Sequence, residues 1–540
     1  MHSTRSVPEV FSPEETTALA PYFGNIDKPI FALTNLPEAV KGALFARYSR
    51  SAKTARRLFL DEFLDDIETR ANVDGAGPGQ SRAERLYSRV FEQYGDDSVA
   101  QLGGAHIACE GVSNILTKVL ERGRLMSYLE QSTRYVPYTD RPGGRWKYVV
   151  PAEIEDASDR RAFEETLDRA FETYARWLEP MQQHYRKRHP REPEDSETAY
   201  GAFIRAKALD TLRGLLPAAT RSNVGIYGSG QAYEMLLLRM RAHPLAESRQ
   251  TADALLSELK KVIPDFVRRV DMPGRGGVWS DYIRRRDRRL RELTDEIATD
   301  DDTEERAEVT LSEFDPEGEI KVVAAALYCN SHLSLDRLLV VAGDMTTEER
   351  ARVLKTYVGD RENRRHRPDR AFEHATYTFD IVSDYGAFRD LQRHRMLTLE
   401  WQGLTPSHGY QQSEAVEEIG ARALADWERA MADSATLYER LARRYSPLVA
   451  QYAVLMAYRI RFYMRMNARE AMHVIELRTS PQGHEAYRRV CQEMHRLIAK
   501  QAGHRAIADA MSFVNRKGSE LGRLKAERAS MQGRLPLETS

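Results

Sequence analysis

The stretch Gln392-Arg393-His394-Arg395 has a counterpart earlier in the chain, Arg122-Gly123-Arg124, which leads into Ser127-Tyr128-Leu129-Glu130-Gln131-Ser132-Thr133-Arg134-Tyr135. We interpret the two Arg-x-Arg triplets as diverged copies of one ligand-binding segment. In each half a short apolar segment leads to the triplet, helical patterns follow, and a Leu-Arg pair lies in a later helix, Leu238-Arg239 or Leu477-Arg478. This shared order predicts a duplicated domain.

Length and composition describe a globular protein with more than one domain. The chain has 540 residues, 42% hydrophobic and 30% charged, which is too long for one hydrophobic core. A formal net charge of −1 excludes a general attraction to nucleic acid or an acidic membrane, so a phosphate must be bound by a local group of arginines. No apolar run approaches the ~18 residues that span a bilayer, and the N-terminus lacks an apolar signal core. We predict a cytoplasmic protein without nucleic-acid or membrane partners.

The cysteines carry no signal for a site. Cys109, Cys329 and Cys491 lie far apart, in apolar or helical surroundings and without metal-like spacing. Buried, inert thiols are expected. We predict no metal site.

Composition also places the domain boundaries. We predict an N-terminal arm over residues 1–34, a first domain over 35–270, a linker over 271–319, a second domain over 320–510 and a tail over 511–540. The linker carries the basic run 284–286, but acidic residues follow it and no aromatic ladder is interleaved. We therefore interpret it as a connector with one solvated, charged helix rather than a nucleic-acid surface.

Hydrophobic periodicity predicts helices along most of both halves. Predicted helices begin near Leu36 and cover 106–130, 163–178, 200–216, 231–262, 423–441, 448–466, 471–477 and 487–502. Strands are predicted over 147–151, 320–327 and 376–381, and loops over 72–82 and 186–197.

The second half resembles the flavin-dependent thymidylate synthase family. The resemblance rests on Glu373-His374, Gln392-Arg393-His394-Arg395, Asn467-Ala468-Arg469 and Glu476-Leu477-Arg478. The first half is similar to the same family through Tyr94-Gly95, Ser98-Val99-Ala100, Arg122-Gly123-Arg124 and the run from Ser127 to Tyr135. The resemblance covers roughly residues 35–265 and 320–505. It implies an α+β (mixed α/β) fold in two tandem copies, each a small sheet packed with several long helices.

The resemblance also assigns roles to single residues. In the family, the Arg-His-Arg triplet binds the flavin, and the Ser-x-x-Glu-x-Ser-x-Arg-Tyr run binds dUMP. The implied nucleotide-binding residues are Ser127, Glu130, Ser132, Arg134, Tyr135, Arg213 and Arg239. The implied flavin-binding residues are Gln392, Arg393, His394, Arg395, Asn467, Arg469, His473 and His374. Arg239 and Arg478 are the implied catalytic residues, placed to polarise the uracil ring.

Arginine suits such a site because its planar guanidinium gives charge-assisted, bidentate hydrogen bonds to phosphate that lysine cannot reproduce. A single arginine in this sequence is more often a solvated or ion-paired surface residue. The evidence for a binding site is the ordered set of motifs, which occurs in both halves of the chain.

The two halves keep different parts of the family pattern. The first triplet lacks the central histidine, and Gly228-Ser229-Gly230 replaces the family's Asn-x-Arg. In the second half the run from Glu400 to Pro406 replaces the nucleotide-binding residues, and spacing puts Tyr452 where the second nucleotide-binding arginine is expected. We predict composite sites built from both halves, and a homodimer that forms a pseudo-tetramer with half the sites of the family's homotetramers.

The function implied is the methylation of dUMP to dTMP with FAD as cofactor and methylenetetrahydrofolate and NADPH as co-substrates. Two alternatives stay open. One is a flavoprotein acting on another pyrimidine nucleotide, and the other is a non-catalytic paralogue that binds nucleotide or flavin.

Overall fold

The computed structural model describes residues 9–65, 101–193, 195–298, 306–481 and 483–516. The predicted loop over 72–82, the motifs at 94–95 and 98–100 and the tail beyond residue 516 lie outside the described residues.

The chain divides into two compact units. The first unit comprises Met1–Cys109, Leu125–Leu129 and Val224–Ala298. The second unit comprises Glu110–Arg124, Glu130–Asn223 and Thr299–Ser540. The second unit therefore contains segments from both halves of the sequence.

Helices and strands are numbered here in chain order among the described residues. The helices are α1 Pro13–Leu19, α2 Glu38–Tyr48, α3 Ala55–Glu62, α4 Asn114–Leu120, α5 Ala157–Arg188, α6 Glu197–Leu212, α7 Gly230–Ala242, α8 Ala246–Val262, α9 Pro264–Val267, α10 Val278–Ile297, α11 Gly318–Tyr328, α12 Leu335–Asp344, α13 Thr347–Val358, α14 Tyr385–Leu391, α15 Glu414–Ile419, α16 Ala421–Arg444, α17 Pro447–Ala450, α18 Ala468–Arg478, α19 Glu485–Lys500 and α20 Arg505–Ala510. The strands are β1 Gly104–Ser113, β2 Met126–Glu130, β3 Arg221–Ser229, β4 Val309–Phe314, β5 Thr376–Asp384, β6 Thr398–Trp401 and β7 Arg459–Asn467.

The two sheets repeat one topology. One sheet has the strand order β1-β3-β2, and the other has the order β4-β5-β7-β6, in which β5-β7-β6 reproduces the first arrangement. In both halves two strands pass directly into a helix whose N-cap side chain accepts a hydrogen bond from the helix backbone. These caps are Ser113, Ser229, Asp384 and Asn467. Capping satisfies one of the orphan N–H groups of each first turn, so the same local device is used four times.

Within the second unit, segments of the two halves pair around a local twofold axis. Pro217 and Leu455 form an antiparallel bridge. Ala218 N–H donates to Val454 O at 2.8 Å, and Met456 N–H donates to Leu216 O at 2.9 Å. The residue offset that relates Pro217 to Leu455 also relates Ala218 to Met456 and Leu216 to Val454. The two hydrogen bonds are therefore equivalent in the two copies. The duplicated segments therefore pack as two copies of one subunit would pack.

The long helices α5 and α16, one from each half, pack against each other beside this axis. Their contact is lined by ion pairs, among them Arg176–Asp426 at 3.0 Å and Arg440–Asp159 at 2.6 Å. Asp159 is buried and also accepts from Tyr445 Oη at 2.9 Å. A buried carboxylate with several donors ties the two halves at this point.

The α+β fold class with two copies is confirmed, as are the helices over 163–178, 423–441, 471–477 and 487–502 and the strand at 376–381. Several other predictions are wrong. Residues 106–130 contain β1, α4 and β2 instead of one helical stripe. The predicted strand 320–327 lies inside α11, whose alanines favour a helix. The predicted helix 448–466 is α17 followed by a turn and β7.

Smaller errors concern boundaries and exposure. In the predicted strand 147–151, Tyr148 makes an isolated bridge to Thr220, and the helix over 231–262 is broken after Ala242, next to Pro244. The predicted loop 186–197 begins inside α5, which runs to Arg188. The linker contains the charged helix α10, but also β4 and the start of α11, and the arm contains α1. Cys109 and Cys491 are buried as expected, whereas Cys329 is exposed.

No helix in the described part of the chain is long and apolar enough to cross a membrane.

Candidate functional site

Glu130 joins the two halves through a buried network in the second unit. Its side chain is 0% exposed and accepts from Arg389 Nη2 at 2.7 Å and from Arg393 Nη2 at 2.9 Å. Lys118 Nζ lies 3.3 Å from the same carboxylate and 2.7 Å from Glu121. A residue of the first half therefore positions the arginines of the second half.

The burial and the charges of this network shift the pKa values of both carboxyl groups, Glu130 and Glu121. Burial by itself raises the pKa of Glu130, but Arg389, Lys118 and Arg393 outweigh it and hold this pKa below its ordinary value. Burial raises the pKa of Glu121, and Lys118 offsets only part of that effect. Glu130 is thus ionised and holds Arg389 and Arg393 in place, with its own side chain fully buried.

A second cluster lies beside this network and alternates guanidinium and carboxylate groups from both halves. Arg134 Nε lies 3.1 Å from Asp210 Oδ1, and Arg213 Nε lies 3.4 Å from the same oxygen. Asp390 lies 3.7 Å from Arg478, 3.8 Å from Arg213 and 4.0 Å from Arg393. Each carboxylate therefore holds several guanidinium groups in place.

This cluster carries an excess of positive charge. Burial raises the pKa of Asp390, yet its four neighbouring arginines lower it to well below the ordinary value. Burial likewise opposes the ionisation of Asp210, and the charges of Arg134 and Arg213 outweigh it, so its pKa lies below the ordinary value. The four guanidinium groups and two carboxylates leave two positive charges, which equals the charge of a phosphate monoester dianion. The imidazole of His484 adds no charge at neutral pH, because burial lowers its pKa.

A cavity of about 660 Å³ opens beside the cluster within the second unit. Arg134, Asp210, Arg213 and His484 line it together with apolar residues such as Trp427. This volume lies in the range of small-molecule sites, which combine apolar walls with a few convergent polar groups. The cavity can therefore admit a nucleotide whose phosphate reaches the arginines.

His394, the central residue of the second triplet, is buried between two partners. Arg478 Nε donates to His394 Nε2 at 2.9 Å, which leaves the proton on Nδ1. That Nδ1 lies 3.6 Å from Glu470 Oε1. Burial, followed by Arg478, lowers the pKa of His394 well below its ordinary value, so the imidazole is neutral.

His394, Glu470 and His473 offer atoms that lie within 4.8 Å of one another, a spacing that a metal ion can use. The surroundings oppose a cation. Burial, then Arg367 and Arg364, lower the pKa of His473 to about 4. Burial raises the pKa of Glu470 to about 7, so this carboxyl group is largely protonated below neutral pH. Four arginines lie around these side chains, and their positive charge favours an anion over a cation.

The other predicted flavin-binding residues have mixed positions. Gln392 is buried and its Nε2 donates to Lys118 O at 3.0 Å, and Asn467 caps α18, so both hold the backbone. Arg469 Nε donates to Pro368 O at 3.0 Å and its guanidinium lies 3.6 Å from Glu373. Arg395 and His374 are exposed.

The predicted nucleotide-binding residues are only partly brought together. Arg134 and Arg213 line the cavity, and Ser132 Oγ accepts from the backbone N–H of Arg134 at 3.2 Å. Tyr135 is exposed. Ser127 is exposed in a segment of the first unit, and Arg239 also belongs to that unit.

Arg239 is not the structural equivalent of Arg478. Arg239 is the tenth residue after the N-cap Ser229, whereas Arg478 is the eleventh after the N-cap Asn467. One residue turns a helix by about 100°, so the two side chains leave their helices in different directions. Met240 occupies the position that corresponds to Arg478.

The same comparison shows that the position related to the arginine cluster by the local twofold axis lacks most of its charged side chains. Counted from the caps Ser113 and Asp384, the first half has Ile115, Val119 and Gly123 where the second half has Gly386, Asp390 and His394. Counted from the bridged pair Pro217 and Leu455, the second half has Leu448 and Gln451 where the first half has Asp210 and Arg213. The residue expected from spacing, Tyr452, is therefore off by one position. Apart from Arg393, whose counterpart is Arg122, these charged members of one site have uncharged counterparts in the other.

Sequence reasoning missed the residues that pair with Glu130 or surround the predicted site arginines. These are Lys118, Asp210, Arg389, Asp390, His484 and Tyr487. Two of them carry a local signal, because Asp210 and Asp390 each precede a predicted site arginine by three residues, which is a neighbouring position on a helix. His484 and Tyr487 come from a distant segment and give no such signal.

Gly386 is required for the position of Arg213. A Cβ at residue 386 would lie 2.9 Å from Cζ, Nε and Nη2 of Arg213. We expect Gly386→Ala to displace this guanidinium and weaken nucleotide binding at least tenfold, with little change in the melting temperature. Calorimetric titration with dUMP measures the affinity.

The matched control is Gly201→Ala, in helix α6, where nothing lies within 4 Å of the added methyl group. This variant should bind dUMP like the parent protein. Equal affinities for both variants would show that Arg213 does not contribute to the site.

Fold and side-chain geometry define a class: a tandem-duplicated α+β protein with an arginine cluster built from both copies. A family model described as thymidylate synthase complementing protein matches residues 43–265 and 310–503. The chain therefore belongs to this family.

Relatives of two kinds are similar to the chain. A UPF0159 protein of Chlamydia muridarum is 37% identical over 523 residues, 96% of this chain and 98% of the relative. A UPF0159 protein of Thermoplasma acidophilum is 30% identical over 510 residues, 90% of this chain and 97% of the relative. A flavin-dependent thymidylate synthase of Clostridium tetani is 29% identical over 183 residues, 33% of this chain and 68% of the relative.

Proposed function

We propose that the chain is a flavin-dependent thymidylate synthase that methylates dUMP to dTMP with methylenetetrahydrofolate and NADPH, at one composite site per chain. The observation that carries this proposal is the cluster of Arg134, Arg213, Arg393 and Arg478, which comes from both halves and has two positive charges in excess. Membership of the family and the similarity to proteins named flavin-dependent thymidylate synthase support it.

The first half supplies the residues for the nucleotide. Arg134 and Arg213 line the cavity and are held by Asp210, so their donors are oriented before a ligand arrives. Such preorganisation lowers the entropic cost of binding. The apolar wall at Trp427 suits a pyrimidine ring.

The second half supplies the residues for the flavin. Arg393, Arg395 and Arg469 are at least partly accessible, and the field around His394 and His473 is positive. This fits the pyrophosphate of FAD, which when bound would supply the electrons that reduce the transferred methylene group. His394, fixed as a neutral tautomer by Arg478, holds its proton on Nδ1.

Arg478 is placed to serve both ligands. It contacts His394 and Asp390, and its guanidinium carbon lies 5.4 Å from the ring centre of Tyr487. A cation held in this way stabilises negative charge that develops on a nearby uracil ring. Arg239 has no corresponding position, so we assign the catalytic role to Arg478 alone.

The experiment is a flavin assay followed by titration with dUMP. The purified chain should show a flavin absorbance band that dUMP perturbs, and its gene should complement a thymidine-requiring host. A flavin band that responds to another pyrimidine nucleotide but not to dUMP would contradict the substrate. A chain that binds neither flavin nor dUMP would contradict the proposal as a whole.

We expect His394→Ala to remove most of the bound flavin, because it removes the central side chain of the second triplet and its hydrogen bond with Arg478. Absorbance spectra of the purified variant give the flavin content per chain. The matched control is Arg122→Ala, since this exposed arginine of the first triplet pairs with the exposed Glu400. Equal loss of flavin in both variants would contradict the assignment of the flavin to the second half.

A further inference from the structure

Among the residues that the structure describes, helix α10 has buried side chains only in its first two turns. Ser280 and Ile283 are buried, and Ser280 Oγ donates to Leu238 O at 3.3 Å. From Arg284 to Ile297 the side chains are exposed, with Asp287 partly so. About fourteen helical residues therefore extend into solvent.

One face of this helix is apolar. Trp279, Tyr282, Leu290, Leu293 and Ile297 are between 43% and 72% exposed. At about 100° per residue, these five positions fall within an arc of about 80°. Arg286 lies on the same stripe, with its guanidinium 5.9 Å from the ring centre of Tyr282. The spacing of three and four residues is that of a coiled-coil seam.

Such a helix is not expected to stand alone. Isolated helices shorter than about 12–15 residues are marginal in water, and most helical stability in proteins comes from covering an apolar face. Contiguous exposed apolar surfaces usually mark interaction sites. The stripe therefore calls for a partner helix.

The charges on α10 indicate which partner fits. Basic residues crowd its middle, at Arg284, Arg285, Arg288, Arg289 and Arg291, whereas acidic residues follow at Glu292, Asp295 and Glu296. Arg289 and Glu296 lie two turns apart on the same edge of the stripe. A helix with this polarity is complementary to its own sequence read in the opposite direction.

We propose that α10 is a dimerisation helix that pairs in antiparallel orientation with α10 of a second copy of this chain. In this arrangement Leu290 packs on the partner's Leu293, and Leu293 packs on the partner's Leu290. Arg289 faces the partner's Glu296, and the twofold axis repeats the pair. A parallel pair would instead align the arginine-rich middle of one helix with that of the other. The proposal does not depend on the catalytic activity.

Directed disulfide formation tests this pairing in the full-length chain. In a Cys329→Ser background, which removes the exposed cysteine, Leu290→Cys and Leu293→Cys chains of different tag length are mixed and oxidised mildly. The antiparallel pair predicts a disulfide between the two different chains, seen as a mixed dimer on a non-reducing gel. Arg291→Cys, on the opposite face of the helix, is the control and should give no dimer.

Two results would overturn the proposal. Equal disulfide formation by either variant alone would indicate a parallel pair, and no mixed dimer would indicate that another molecule or no partner covers the stripe.

The charges provide a second test, in which sedimentation measures the association of the chains. Arg289→Glu or Glu296→Arg alone should weaken association about tenfold, because two attractive pairs become repulsive. The double variant should restore it, and failure of this restoration would equally contradict the pairing.

Discussion

We expect Arg134→Ala to weaken the binding of dUMP by about two orders of magnitude and to leave the flavin content unchanged. The Arg134 guanidinium lines the cavity, is 17% exposed and is held by Asp210. Removing one partner of a largely desolvated charge contact costs about 2–5 kcal/mol, and each 1.4 kcal/mol is about tenfold in affinity. Calorimetric titration of the flavin-loaded chain measures the change.

The fold is expected to survive this substitution, because Asp210 keeps Arg213 and His484 as neighbours. Arg134→Lys separates charge from geometry. It preserves the cation but loses the planar fork, so an intermediate loss of about tenfold is expected. Arg122→Ala is the control for a general effect of removing an arginine. If Arg134→Ala bound dUMP as tightly as Arg122→Ala, the cavity would not be the nucleotide site.

We expect Glu130→Ala to lower the free energy of unfolding by about 3–5 kcal/mol. This substitution leaves Arg389 buried without its counter-charge and removes one of the two carboxylates beside Lys118. Breaking a buried ion pair from one side carries a cost of this size. It is a large share of the ~5–15 kcal/mol that stabilises a domain. Denaturant unfolding measures the change. The control is Glu400→Ala, whose partner Arg122 is exposed, so a cost of about 0–1 kcal/mol is expected.

The pH dependence gives an independent test of the same residue. The pKa of Glu130 is lower in the folded chain than in the unfolded chain, so its contribution to stability is present above the unfolded pKa and is lost as pH falls towards the folded value. The parent protein should lose stability below about pH 4.5 more steeply than Glu130→Gln. If the free energy of unfolding fell with pH equally steeply in both proteins, Glu130 would not be the ionised, stabilising group.

The duplication and part of the site could be predicted from sequence because both are written in short, local patterns. The first triplet lies close to Glu130 and Arg134 in the chain, and the structure brings Arg134 and Arg393 of the second triplet into one cluster. The errors have physical causes as well. The segment Arg459–Asn467 alternates buried and more exposed residues, which is the period of a strand, but its apolar neighbours suggested a continuous helix.

The supporting residues could not be found in the same way. Asp390, His484 and Tyr487 acquire their roles only when α14 and α19 pack beside the first-half helix α6. The replacement of Asp210 and Arg213 by Leu448 and Gln451 also becomes visible only once the twofold pairing at Pro217 and Leu455 aligns the halves. The sequence shows that each half lacks some of the family's motif residues. The structure shows that the replaced residues lie together, at the position related by the twofold axis to the arginine cluster.

The number of dUMP molecules bound per chain tests the central claim most directly. The titration is done calorimetrically on the flavin-loaded protein, with the chain concentration taken from amino-acid analysis. One composite site per chain predicts a stoichiometry of one dUMP per chain, with one flavin. Two dUMP molecules per chain, bound with similar affinity, would mean that the site containing Val119, Gly123 and Gln451 is intact, and would contradict the account.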